Sequence, residues 1–80
     1  MRNKKQELKE LIMMQGSIAQ QLHQIRISKQ LTMEQVCCQT GMPDYILDSM
    51  EIGRRSLHFP ELYLLAKYYG KKLKIEFVDE

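Results

Sequence analysis

The tightest constraint in this sequence is the run Thr40-Gly41-Met42-Pro43. Gly41 accepts the left-handed backbone that closes a helix. Pro43 suits the first position of a following helix, where its missing N–H has no partner to lose, and Met42, preceding a proline, is steered out of the helical region. Two helices must therefore meet across a turn of about three residues. Thr32 caps the first of them, and Gln35 stands where a capping box needs it. That helix runs from 33 to 40 with Met33, Val36, Cys37 and Thr40 on one side, so that Cys37 points inward and Cys38 outward. The second helix runs from Pro43 to Glu51. A turn of about 100° per residue gathers Ile46, Leu47 and Met50 on one face and Asp44, Tyr45, Asp48 and Ser49 on the other.

The flanking segments extend this helical pattern. Residues 3 to 14 read as a helix with Leu8, Leu11 and Ile12 on one face, which Gly16 then breaks. Ser17 with Gln20 repeats the capping-box spacing and opens a helix from Ile18 to Ser28 that buries Ile18, Leu22 and Ile25. Whether the two helices fuse across Gly16 is left open by periodicity. Gly53 ends the helix from Pro43, and Arg54 and Arg55 fill a polar loop. Phe59 and Pro60 open a last helix to Tyr69, with Leu62, Leu65, Ala66 and Tyr69 buried and Gly70 as its stop. The tail from Lys72 to Phe77 alternates polar and apolar residues, as a half-buried strand does. A lone strand leaves its backbone groups unpaired, so this one is expected to pair antiparallel with its own copy across a two-fold axis, placing Leu73, Ile75 and Phe77 at a dimer contact. The expected fold is all-α: a compact bundle of about five helices with a helix-turn-helix, plus that C-terminal strand. Its parts are an N-terminal helical extension (1–16), a helix-turn-helix domain (17–71) and the dimerisation strand (72–80).

A chain of 80 residues holds one core. Its 44% hydrophobic and 28% charged residues are those of a folded protein and not of a disordered tail. So small a domain gains from a partner chain that adds to its core, which also favours a homodimer. No apolar run approaches the ~20 residues that span a bilayer, and the basic start leads only into Leu-Ile-Met-Met. We therefore expect a cytoplasmic protein with no membrane contact. Cys37 and Cys38 are adjacent and have no third cysteine to pair with, which removes a disulfide framework. His23 and His58 lie far from that pair in sequence, so no metal site is expected. There is no Ser/His/Asp or Cys/His grouping and no glycine-rich phosphate loop, and the carboxylates sit on a convex face. Neither an enzyme nor a cofactor is expected.

The net charge of +2 conceals an uneven distribution. Residues 1 to 30 set Arg2, Lys4, Lys5, Lys9, Arg26 and Lys29 against Glu7 and Glu10, for +4. Residues 31 to 53 carry Glu34, Asp44, Asp48 and Glu51 with no Lys or Arg, for −4, and residues 54 to 80 return to +2.

From about Leu22 to Gly70 the chain resembles the Cro/cI-type helix-turn-helix family, also called xenobiotic-response-element-type regulators. The residues that carry the resemblance are Ile25-Arg26, the run from Lys29 to Cys37 where the family favours K-x-L-S-Q-x-x-L-A, Thr40-Gly41-Met42, and Ile46. Met50-Glu51-Ile52-Gly53-Arg54-Arg55 follows where the family favours I/W-E-x-G-x-R, then Leu65-Ala66-Lys67 and Gly70. The resemblance implies a homodimeric, sequence-specific regulator of repressor type on double-stranded DNA, with the helix from Pro43 in the major groove. Asp44, Tyr45, Asp48 and Ser49 would then read bases, while Lys29, Arg54, Arg55 and the helix start at Thr32 and Met33 would meet phosphates. Met33 departs from the family's glutamine, and Asp44 and Asp48 would face phosphates that repel them; a carboxylate's favourable base contact is with cytosine N4. The competing reading is an antitoxin or protein-interaction module on the same fold, with weak or lost DNA binding, a toxin as partner and helix 3–14 and strand 72–78 as its docking elements; a protein docked on the outward face of the helix from Pro43 would instead use Tyr45 as anchor.

Overall fold

A computed structural model of the chain describes residues 4–54 and 56–79. Among them are four α-helices: α1 (Lys4–Ser28), α2 (Met33–Thr40), α3 (Asp44–Glu51) and α4 (Phe59–Tyr68). The count is four and not about five because α1 runs unbroken through Gly16. A mid-helix glycine costs only about 1 kcal/mol against alanine, too little to break the helix, and no close packing demands it, since a Cβ on Gly16 would meet nothing within 4 Å. The turn after α3 lies against α1 here, so that a Cβ placed on Gly53 would come within 3.7 Å of the Ala19 Cβ and 3.8 Å of the Gly16 Cα. With the helix continuous, the Ser17–Gln20 capping box does not form; the Ser17 hydroxyl instead accepts a long bond from the Gln21 side chain at 3.5 Å.

α2 begins and ends as its sequence predicts. Gln35 N–H donates to Thr32 Oγ1 at 3.0 Å and Thr32 N–H donates to Gln35 Oε1 at 2.8 Å, completing the capping box. Gly41, at φ 77°, closes the helix by donating its N–H to Cys37 O. Pro43 takes the N-cap of α3 and not its first helical position, with φ −64° and extended ψ of 145°. Its ring-fixed φ serves either place. α1 ends differently, because Gln30 holds a left-handed backbone at φ 57° where glycine is usual. Gln30 N–H donates to Ile27 O and Leu31 N–H to Arg26 O, the bond pair of a Schellman turn.

The core joins Leu22 of α1, Val36 and Cys37 of α2, Met42 of the turn, Ile46, Leu47 and Met50 of α3, Leu62 and Leu65 of α4, and Tyr69 just beyond it. Ile18, Ile25, Leu31, Met33 and Leu57 pack at its margin. α3 is the element that α1 and α2 both clasp, while α4 packs on α2. Residues 71–79 form no helix or strand, since within one chain the tail finds no neighbour to exchange ladder bonds with. Leu73 packs on the core, whereas Ile75 and Phe77 are exposed. No helix is long and apolar enough to cross a membrane among the described residues.

The molecule is elongated, 45 × 23 × 21 Å, because the first turns of α1 project beyond the core. Its radius of gyration is 13.9 Å, where a compact chain of this length has about 11.6 Å.

Candidate nucleic-acid interface

Helix α3 is amphipathic, and the packing sorts its residues. Ile46, Leu47 and Met50 are in the core, which forces Asp44, Tyr45 and Asp48 into solvent, with Tyr45 71% exposed. Ser49, placed on the same outer face by its spacing, is half-buried instead. Its carbonyl accepts from Arg54 N–H at 3.1 Å, while Gly53, at φ 75°, donates to Met50 O. This Schellman closure turns the chain so that Arg54 emerges exposed at the C-terminal end of α3. Arg55 lies outside the described residues.

The remaining candidates surround the start of α2. Lys29 is exposed at the end of α1, and Thr32 is exposed at the N-cap. The capping box occupies the N–H groups of Thr32 and Gln35. Helix geometry leaves the N–H groups of Met33 and Glu34 without an intrahelical acceptor, and an external oxygen could take them. The Met33 side chain turns away from that opening and packs against the core.

What sequence reasoning missed is the brace beneath this surface. Arg26 and Glu51, 25 residues apart, form a buried forked pair: Arg26 Nε donates to Glu51 Oε2 at 2.8 Å and an Nη2–H donates to Oε1 at 3.0 Å. The third guanidinium nitrogen donates to Leu31 O at 2.9 Å. The Glu51 side chain is only 1% exposed. His23 completes the cluster with Nδ1 at 2.8 Å from Glu51 Oε1. A carboxylate only accepts, so this contact puts the proton on Nδ1. The hydrogen bond to Glu51 raises the Arg26 pKa against the opposing cost of burial. The pair locks the end of α3 to α1 and to the residue before the α2 cap. Its sequence signal was available: Arg26 lies seven residues after Ala19 and four after Leu22, and Glu51 lies four after Leu47, so each charge stands on an otherwise apolar stripe.

Pairing also revises the electrostatics. Arg26 and Glu51 cancel each other out of contact with solvent, which leaves Glu34, Asp44 and Asp48 as the exposed charges of the acidic centre. Asp44 acts inward as well. Burial first, and then the neighbouring Asp44 carboxylate, push the Cys37 thiol up to about 11. Burial pushes the Tyr69 hydroxyl up to about 12, and that hydroxyl has no hydrogen-bond partner among the described residues. No group of three or more His, Cys, Asp or Glu side chains that could hold a metal occurs among them.

Comparison with protein-family models, with curated proteins and with solved structures finds no match to this chain.

Proposed function

We propose that the chain is a homodimeric, sequence-specific DNA-binding regulator of repressor type that places α3 in the major groove. The observation that carries this reading is the helix α3 itself. It follows α2 through a three-residue turn, is braced from below by a buried ion pair, and shows solvent the side chains its core packing cannot use, Asp44, Tyr45 and Asp48. The resemblance to Cro/cI-type regulators assigns base reading to that face and to Ser49. Lys29, Arg54, Arg55 and the open N–H groups at Met33 and Glu34 then meet phosphates around it. Antiparallel pairing of the tails through Ile75 and Phe77 would set two such helices on half-sites about 34 Å apart.

A mobility-shift assay on DNA flanking the chain's own gene, run across a salt series, tests this. A specific complex is expected, Arg54→Ala with Arg55→Ala should flatten the log–log salt slope by about one to two, and Tyr45→Ala should relax sequence preference. Absence of any specific complex at low salt would sink the reading. The acidic face favours one alternative, an antitoxin or docking module that uses Tyr45 on a protein. It predicts a stoichiometric protein partner that Tyr45→Ala releases.

A further inference from the structure

Among the described residues, the apolar side chains in the first three turns of α1 are left open to solvent. The stripe of this helix that faces the core repeats every seven residues, through Leu8 and Leu22, Leu11, Ile18 and Ile25, and Ile12 and Ala19, with Gln15 and Arg26 as its polar members. Its C-terminal half is covered by the core, whereas in its N-terminal half Leu8 (58%), Leu11 (49%) and Ile12 (58%) are open to solvent. Met13 and Met14, on the flanks, are as exposed, so at 11–14 the helix is apolar all round, the pattern of a helix enclosed from more than one side.

A second uncovered element lies beside it. Ile18, Leu22 and Ile25 of α1, Leu62 and Tyr69 at α4, and Ile75 of the tail line an apolar groove. Beyond that groove Phe77 and Val78 are fully or almost fully exposed. The groove begins at Ile18, one helical turn beyond Met14, so arm, groove and tail adjoin one another.

The exposed area is large enough for a second copy to cover. The chain exposes 6591 Å², whereas a compact monomer of 9.5 kDa exposes about 5,000 Å². The excess of roughly 1,500 Å² exceeds the ~800 Å² that each partner contributes to a specific interface. We propose that the occupant is a second copy of this chain, with the arm of each copy, from Leu8 to Met14, lying over the α1, α4 and tail groove of the other. A two-fold axis satisfies arm and groove reciprocally. The inference rests on the homodimer reading and not on DNA binding; it adds the N-terminal arm to an interface otherwise assigned to the tail.

Light scattering and sedimentation equilibrium on the full chain test it, with Leu11→Glu plus Ile12→Lys in the arm, Leu8→Lys at its far end, and Phe77→Asp in the tail. The unaltered chain should be a dimer. Each arm variant should weaken the dimer by roughly thirtyfold or more and leave a folded monomer, because these side chains lie outside the core; Leu8→Lys, farthest from it, serves if the double variant unfolds. Arm variants that dimerise as tightly as the unaltered chain, while Phe77→Asp weakens the dimer, would overturn the arm's role and leave the tail interface standing. An unaltered chain that is monomeric at all concentrations, or held in a stoichiometric complex with another protein through the arm, would overturn both.

Discussion

Replacing Glu51 by glutamine should remove a large part of this protein's stability, and the magnitude follows from the geometry. Glu51→Gln keeps the volume but removes the charge that Arg26 faces through two bonds of 2.8 and 3.0 Å, leaving a guanidinium only 9% exposed. Removing one partner of a buried pair costs about 3–5 kcal/mol, because the other charge stays desolvated. A domain of 80 residues has on the order of 4–12 kcal/mol of stability in all. Such a loss lowers Tm by about 12 °C or more. His23→Ala removes only a contact whose imidazole is half exposed, and should cost at most about 1 kcal/mol. Converting both partners, Arg26→Met with Glu51→Leu, should restore most of the loss, since a matched apolar pair leaves no charge stranded. Urea titrations of the single and double variants complete the cycle. A cost of Glu51→Gln below about 1 kcal/mol, or a double variant no better than the single, would refute the claim that desolvation of Arg26 sets the magnitude.

Three further outcomes are accessible to the same measurements. Gly16→Ala should stabilise the chain by about 1 kcal/mol, because a Cβ there meets nothing within 4 Å and α1 is continuous; a destabilised variant would restore Gly16 as a required break. Tyr69→Phe should be neutral or stabilising by up to ~1 kcal/mol, since it deletes a buried hydroxyl that has no partner among the described residues, and a loss above that would reveal a bond to Tyr69. Stability should also decline in alkali. Cys37 rises from 9.0 to about 11 and Tyr69 from 10.0 to about 12, so between these values the folded chain holds protons that the unfolded chain has released. The contribution is complete below pH 9 and is lost as pH climbs toward 12; a flat profile of Tm over that span would contradict both shifts.

Much of the candidate interface was legible in the sequence because its determinants are local. The capping box at Thr32, the left-handed Gly41 and the outward set Asp44, Tyr45 and Asp48 each depend on residues within four positions of one another, the reach of a helical turn. Ser49 differs: its place on the wheel is outward, yet it is half-buried at the end of α3, where its carbonyl accepts from Arg54 N–H as the chain turns back. The tail reads as a strand by alternation alone, yet a ladder needs a neighbour and one chain has none to offer.

Local chemistry, then, determined where helices α2, α3 and α4 lie and which face of α3 is spare. Tertiary structure alone decided that α1 passes through Gly16, that Arg26 finds Glu51, and that the first turns of α1 stand uncovered. The physical reason is range. Propensity, capping and periodicity act within a turn or two, whereas an approach such as Gly53 onto Gly16, or an ion pair spanning 25 residues, exists only once the chain has returned upon itself.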